Sequence, residues 1–293
     1  MHMDSRQKND SNQVANPLLA EGFRNVDSQT RDEQLRCVQC LRFIKSHPEF
    51  LKVRDAAFEK MELHKPNMTV YDVGCGAGFD TLEMAGRMTS GNVVGIDISS
   101  ALIDEANSRA SAATLPVPVR FMTGDARKLT NEPSLPQQSA DRVYMERALQ
   151  HIPRDGFNDV LEEYFRALKP GGLFVSVEPN WELFTVRSND VAFFRKLHHH
   201  WVDRFNHGNV AMNISPGMRS AGFVDVSSQT IPVEFSRFGD GELVYDFTRT
   251  ARELVAKGGA PAEQAAKWLD EQHEAGGDFY CCLMMVVTTG RKP

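Results

Sequence analysis

The sequence has 293 residues, of which 41% are hydrophobic and 25% are charged, so the chain is long enough to form a full hydrophobic core. Its net charge of −6 argues against a general nucleic-acid binder, which would carry a basic stripe. Five cysteines, two of them adjacent, do not resemble a disulfide framework. The sequence contains no run of about 18 apolar residues, so we expect no membrane span. The N-terminus lacks the apolar segment of a signal peptide. We therefore expect a cytoplasmic protein.

The N-terminal part of the chain is predicted to be a polar tail followed by two helices. Residues 1–17 are rich in Asn, Gln, Ser and Asp, and we expect them to be disordered or ordered only by a neighbour. Apolar residues at helical spacing predict one helix over 32–47 and a second over 50–63. Pro66 and Asn67 end the second helix.

The stretch over 69–79, with the sequence TVYDVGCGAGF, organises the rest of the chain. A short apolar run containing Asp72 is followed by glycines at 74, 76 and 78, and a helical pattern comes next. The pattern predicts a buried strand, a tight turn and a helix N-terminus, with Asp80 and Thr81 as its candidate caps. Glycine lets a ligand approach the main chain, and a helix N-terminus offers free N–H groups.

After this turn, strands and helices alternate. Further strands are predicted over 92–97, 119–123, 140–145 and 168–177. The intervening helices are predicted from Ser99 or Ser100 to about Ala113, and over 155–168 with Asp155 as its cap. Such alternation favours a parallel sheet with helices on both faces, which binds ligands at the carboxyl ends of its strands.

The second half of the chain interrupts this pattern twice. Residues 181–210 are rich in aromatic residues and histidine, and we interpret them as a mostly helical insertion above the pocket. A short helix and a strand are predicted over 216–226, and a second insertion, helical from about 244, over 235–277. The apolar segment 279–287 is predicted to be the last strand.

The ordered set of glycine turn, strand-end acids and strands resembles the class I S-adenosylmethionine-dependent methyltransferases, in the broad subgroup that includes quinone and natural-product methyltransferases. The resemblance covers roughly 48–180 and returns at 215–233 and at the C-terminus. It implies an α/β fold: a Rossmann-like, doubly wound, seven-stranded, mostly parallel sheet whose antiparallel last strand lies between the fifth and sixth. It also implies six segments: an N-terminal tail and helical cap (1–67), the S-adenosylmethionine-binding core (68–180), a helical lid (181–214), core (215–234), a second lid (235–277) and the final core strand (278–293).

The resemblance implies a cofactor site for S-adenosylmethionine. Asp72 would orient the methionine amine, Asp97 would take the ribose hydroxyls, and Ile98 would pack on adenine. The remaining implied cofactor-binding residues are those of the glycine turn, the adenine edge and the methionine side: Gly74, Cys75, Gly76 and Gly78; Asp125 and Ala126; Glu146 and Arg147. Asp97 follows Gly78 by 19 residues, a spacing that suits an acid on a ribose diol.

Two residues are candidates for proton transfer. His151 lies in the segment after the fourth strand, and an unperturbed histidine can accept a proton near neutral pH. Glu178 lies at the end of the fifth strand. Each could instead have a structural role, capping or packing for His151 and a hydrogen bond to a loop for Glu178. We expect no metal site, because Cys37 and Cys40 lack a second pair and the histidines at 198–200 are adjacent rather than four apart.

The predicted function is methyl transfer to oxygen or nitrogen, less often carbon, of a small aromatic or apolar metabolite. Protein or RNA methylation is the main competing function, although the fourth strand ends without an Asn/Asp-Pro-Pro-Tyr motif. A non-catalytic cofactor-binding scaffold is a second competing function. A nicotinamide-dependent dehydrogenase is a third, but the third glycine comes one residue too early for a dinucleotide fingerprint. We expect neither a nucleic-acid nor a membrane partner, and a homodimer stays open.

Overall fold

The computed structural model describes Phe23 and residues 25–293. Its centre is a seven-stranded sheet with the order β3-β2-β1-β4-β5-β7-β6. The strands are β1 (Met68–Val73), β2 (Gly91–Asp97), β3 (Val119–Thr123), β4 (Ala140–Glu146), β5 (Leu168–Val186), β6 (Val224–Phe235) and β7 (Cys281–Arg291). The strands β1 to β5 pair in parallel, whereas β7 pairs antiparallel with both β5 and β6. The predicted fold class is therefore confirmed, including the position of the last strand.

Helices cover both faces of the sheet. They are α1 (Arg31–Ser46), α2 (Pro48–Met61), α3 (Phe79–Arg87), α4 (Ser100–Ser111), α5 (Phe157–Ala167), α6 (Val191–Val202), α7 (Val210–Ser220), α8 (Phe238–Tyr245), α9 (Phe247–Ala256) and α10 (Ala262–Glu274). The central strands are buried on both faces, as in other sheets of this kind, and two large apolar clusters form the core on either side. No helix in the described part of the chain is both long and apolar enough to cross a membrane. The predicted tail at 1–17 lies outside the described residues.

Two predicted helix caps are wrong. Helix α3 is capped by the backbone of Gly78, which has a left-handed conformation with φ of +77°, and Asp80 and Thr81 are instead buried in the first turn. Helix α5 begins at Phe157 after Gly156, so Asp155 does not cap it. In the first case the tight turn already places glycine at the cap, so both polar side chains are free to face the interior.

The prediction of helix from residue 181 is also wrong for its first residues. Strand β5 continues to Val186, and its far end pairs with β7 through partners such as Thr185 and Cys282. Helix α6 starts only at Val191, where the Asp190 side chain accepts a hydrogen bond from the N–H of Phe193 (2.9 Å). Aromatic residues suit strands as well as helices, so pairing with a strand about 100 residues later decides the conformation.

The sheet positions the site through its strand order. The chain adds β2 and β3 on one side of β1, and then adds β4 and β5 on its other side. The direction of strand addition therefore reverses between β1 and β4. A crevice forms at such a switch point outside the carboxyl ends of the strands. The second insertion, helical from residue 238 rather than 244, packs its Trp268 against Phe193 of α6, with ring centroids 5.7 Å apart.

Candidate cofactor and acceptor site

A cavity of about 430 Å³ opens at the carboxyl ends of the parallel strands. Of the thirteen residues proposed for the site from the sequence, eleven line it: Asp72, Gly74, Cys75, Gly76, Asp97, Ile98, Asp125, Ala126, Glu146, Arg147 and His151. Gly78 and Glu178 do not. The strand order thus brings together residues that are separated by up to 79 positions in the chain.

Asp97 connects the glycine turn to the end of β2. Its Oδ2 accepts a hydrogen bond from the N–H of Gly76 (2.8 Å), and its Oδ1 accepts one from the N–H of Ser99 (2.9 Å). Burial raises the pKa of Asp97, and the two backbone hydrogen bonds oppose this shift. The carboxylate therefore holds the turn in place and also faces the cavity.

Gly78 has a packing role in this structure. A Cβ atom added there would lie 2.7 Å from the Phe121 ring and 2.9 Å from the Cβ of Ala106. The positive φ of Gly78 adds a second reason for glycine. Gly78 therefore shapes the turn from behind, while Gly74 and Gly76 face the cavity.

An acidic cluster with a lysine at its centre forms one end of the cavity. Lys45, from α1, forms ion pairs with Asp80 and with Glu146 (Nζ to Oε2, 2.6 Å). Tyr144 also donates a hydrogen bond to Glu146 (2.5 Å). Asp72 completes the cluster and accepts a hydrogen bond from the Thr81 hydroxyl. Two carboxyl groups thus contact the ammonium of Lys45 and a third lies near it, and the cluster is suited to a bound cation.

Burial and neighbouring charges perturb the ionisation of this acidic cluster. Burial, together with nearby Asp80, raises the pKa of Asp72 to about 8. Burial also raises the pKa of Asp80, although Lys45 opposes this. Burial disfavours the ionised form of Glu146 as well, but Lys45 and the hydrogen bonds around it hold its pKa below the usual range. Burial lowers the pKa of Lys45, but the carboxylates of Asp80 and Glu146 outweigh this effect and raise it. The lysine therefore stays charged.

Lys45 and Asp80 belong to this site although the sequence pattern did not predict them there. Lys45 lies in a helix before the core, and the side chain of Asp80 was predicted to cap a helix. Lys45 lies next to the apolar helix face that carries Leu41 and Ile44, and both of these residues also line the cavity. A charged residue beside an apolar face was the local signal that could have indicated a role for Lys45 in the site.

On the other side of the glycine turn, the cavity has a mixed wall. Ile98 is 60% exposed, which leaves an apolar surface at the cavity mouth. Asp125 forms an ion pair with Arg127 (2.7 Å), and the hydrogen bonds from this arginine lower the pKa of Asp125. Asp125 is therefore ionised, and its carboxylate is already paired with Arg127.

The opposite wall is aromatic. The rings of Trp181 and Phe205 stack with centroids 4.9 Å apart, and Trp201 lies edge-on to Trp181 at 5.3 Å. The Nε1–H of Trp181 donates to the Gln150 side chain (2.7 Å), which fixes the indole next to His151. The aromatic cluster predicted to lie over the substrate thus contributes directly to the cavity wall.

Glu178 lies behind the loop that carries His151. It is fully buried, and its Oε1 accepts hydrogen bonds from the N–H groups of Ala148 (2.8 Å) and Leu149 (2.7 Å). Burial raises its pKa to about 8, and the two backbone bonds oppose the shift. These contacts are those of a residue that supports a loop, and the proposed catalytic role of Glu178 gains no support from them.

Cys37, Cys40 and two of the histidines at 198–200 are buried or contact other protein groups. Cys37 and Cys40 are buried on α1. His198 lies 2.6 Å from the carbonyl oxygen of Trp181, and His200 lies 3.5 Å from Glu253. Among the described residues, no group of three or more His, Cys, Asp or Glu side chains is arranged to hold a metal ion.

Comparison with known proteins shows similarity to methyltransferases over part of the chain. Residues 70–172 match the family model described as a methyltransferase domain. The chain is 29% identical over 229 residues to an uncharacterized 37.1 kDa protein in transposon Tn4556 of Streptomyces fradiae, covering 78% of this chain and 63% of that one. It is 34% identical over 133 residues to a sterol 24-C-methyltransferase of Aspergillus fumigatus, covering 45% and 33%. Phosphoethanolamine N-methyltransferase 2 of Haemonchus contortus, in complex with S-adenosyl-L-methionine, has a similar fold with a TM-score of 0.57 at 17% identity, covering 92% and 60%.

The matched region and the sheet order together show that this chain contains a methyltransferase-like domain with a Rossmann-like fold. Its methyltransferase domain includes the strands β1 to β4 and the start of β5. The match spans less than two thirds of the length of each of these two curated relatives, and the match to the sterol methyltransferase covers less than half of this chain.

Proposed function

We propose that this protein binds S-adenosylmethionine at the glycine turn and transfers its methyl group to a small aromatic or apolar molecule. The observation that carries the proposal is the hydrogen bond between Gly76 and Asp97 on the wall of the cavity (2.8 Å). This hydrogen bond connects the glycine turn, which a ligand can approach closely, with Asp97. An acid at the end of the second strand would bind a ribose diol. The family match supports the same cofactor.

The residues at the site fit this cofactor chemically. The acidic cluster of Asp72, Asp80 and Glu146 holds more acids than Lys45 can pair with, and a ligand carrying an ammonium and a sulfonium would favour the ionised form of Asp72 there. Asp97 is placed for the ribose hydroxyls and Ile98 offers an apolar surface to the adenine ring. Asp125 and Ala126 border the same surface and would meet the edge of the base.

The bound cofactor supplies an electrophilic methyl group, and the protein must hold a nucleophile in line with it. Positioning of this kind can lower a barrier by about 7–11 kcal/mol. Trp181, Trp201 and Phe205 form an apolar wall that would hold the acceptor and exclude water. His151 lines the same space and would accept the proton that an oxygen or nitrogen nucleophile releases.

The first experiment is calorimetric titration of the purified protein with S-adenosylhomocysteine, with NADH titrated in parallel. We expect the former alone to bind. Small phenols and amines would then be screened as acceptors by the formation of S-adenosylhomocysteine. Binding of NADH alone, or of neither ligand, would contradict the proposed cofactor.

A further inference from the structure

One arginine at the cavity has no ion-pair partner among the described residues. Arg147 directly follows β4 and lines the cavity. Its Nη1 is buried and forms no hydrogen bond, and no carboxylate in the described part of the chain pairs with its guanidinium. The Nη1 atom has thus lost solvent without gaining a hydrogen bond, and such an arrangement suits a ligand that supplies an acceptor of negative charge.

The protein around Arg147 holds it in place without neutralising it. Its backbone has a left-handed conformation with φ of +55°, and its N–H donates to the carbonyl of Val177 (2.8 Å). The guanidinium carbon lies 5.4 Å from the centre of the Phe50 ring of α2. Glu178 acts on it only through space, because one oxygen of this carboxylate binds the loop backbone and neither forms an ion pair.

The guanidinium of Arg147 has aromatic neighbours besides Phe50. Its electrostatic neighbours include Cys40 of α1 and Tyr245 of α8, and Tyr245 lies 6.2 Å from Trp201 between ring centroids. The Nε1–H of Trp201 is also buried without a hydrogen-bond partner among the described residues, and Trp201 lines the cavity. Two buried donor groups that could serve a ligand, the Nη1 of Arg147 and the Nε1–H of Trp201, therefore belong to residues that line the cavity.

We propose that Arg147 binds an anionic group of the methyl acceptor, a carboxylate attached to an aromatic or apolar body. This inference rests on the proposed function, which it extends from the cofactor to the substrate class. A planar guanidinium pairs with a carboxylate through two parallel hydrogen bonds, and the aromatic wall would contact the apolar body. The methionine part of the cofactor also carries a carboxylate, and the test separates the two sources.

The test uses the protein saturated with S-adenosylhomocysteine and titrates it with aryl acids. Phenylacetate, 4-hydroxybenzoate and indole-3-acetate are each compared with the corresponding primary amide, and binding is followed by the fluorescence of Trp181 and Trp201 or by calorimetry. We expect at least one acid to bind about tenfold more tightly than its amide. The variant Arg147→Met should lose this preference, and Arg147→Lys should keep part of it. The variant Arg120→Met removes an exposed arginine of β3 and should change neither.

Three results would overturn the inference. One is that no acid binds better than its amide to the wild-type protein. Another is that Arg147→Met keeps the preference for acids. The third is that Arg147→Met weakens binding of S-adenosylhomocysteine about tenfold while acid and amide bind equally, which would assign the guanidinium to the cofactor. Failure of the wild-type protein to bind S-adenosylhomocysteine at all is a separate result, which would remove the proposed function and this inference with it.

Discussion

Lys45 and Glu146 form a buried ion pair of 2.6 Å between the first helix and the end of β4. Their side chains are only 13% and 9% exposed, and Asp80 binds the same ammonium. The pair connects the helical segment before the core with the site that the core carries. A contact between residues 101 positions apart therefore completes one end of the cavity.

Removing Lys45 should be strongly destabilising. The variant Lys45→Met leaves buried carboxylates without their cation, and we expect a loss of about 3–5 kcal/mol in the free energy of unfolding, measured with urea. The matched variant Lys52→Met breaks an exposed pair with Glu49 and should cost less than about 1 kcal/mol. Equal costs for the two variants would show that the buried pair contributes no more than a surface pair.

Cofactor affinity should depend on pH through Asp72. Its pKa is raised to about 8, so the group is mostly protonated at pH 6, and an ammonium ligand favours the ionised form. The affinity for S-adenosylhomocysteine should therefore rise between pH 6 and pH 8 by up to about tenfold per pH unit, with release of a proton. The variant Asp72→Asn should bind more weakly at pH 8 and show a flat profile. Calorimetry in buffers of different ionisation enthalpy measures both effects, and an equal slope in the variant would assign the proton to another group.

The same shift predicts the opposite trend for the stability of the unliganded protein. Asp72 ionises in the unfolded chain near its ordinary value of 3.8 but only near 8 in the folded protein. Between these values the unfolded state releases the proton first, so the contribution of Asp72 to stability falls as the pH rises. Unfolding of wild type and Asp72→Asn at pH 5 and pH 8 should show the variant gaining relative stability at the higher pH. A constant difference between the two proteins would contradict the raised pKa.

Asp97 should contribute to both binding and the shape of the turn. The variant Asp97→Ala should weaken S-adenosylhomocysteine binding by about 1.5–3 kcal/mol through the lost ribose contact. It also removes the acceptor for the N–H of Gly76, so its unfolding must be measured beside its binding. The variant Asp104→Ala removes an exposed acid from α4 and serves as the control. An unchanged affinity for Asp97→Ala would contradict our placement of the ribose.

Substitutions of Glu178 distinguish support of the loop from catalysis. The variant Glu178→Gln keeps an oxygen that can accept from Ala148 and Leu149, so we expect nearly normal stability and turnover. The variant Glu178→Ala leaves both N–H groups without a partner and should lose about 2–4 kcal/mol of stability. Once an acceptor is known, a fall in kcat of a hundredfold or more for a stably folded Glu178→Gln would restore a catalytic role.

The local pattern of the sequence was sufficient for the core of the fold. The glycine turn, the strand-end acids and the alternation of strands with helices all depend on residues close together in the chain, and β1 to β4 lie within a residue or two of their predicted positions. Eleven of the thirteen proposed site residues line one cavity for the same reason, since the carboxyl ends of parallel strands meet at one edge.

Local pattern gave the wrong answer where two conformations suit the same residues. Trp181 and Phe184 belong to a strand because β7, about 100 residues later, offers backbone partners. Gly78 and Glu178 do not line the cavity: Gly78 packs against Phe121, and Glu178 accepts hydrogen bonds from loop N–H groups, so their site roles stay predictions.

The sequence by itself thus determined the alternating strands and helices and the edge at which the proposed site residues meet, because these follow from short-range periodicity and turn chemistry, and its resemblance to a known family gave the place of the last strand. Only the tertiary structure decided that Lys45 enters the acidic cluster, that aromatic residues of β5 and α6 line the cavity, and that Arg147 meets no carboxylate among the described residues. Each of these depends on the burial of charges and rings between elements far apart in the chain, and burial of this kind is set by packing of the whole fold.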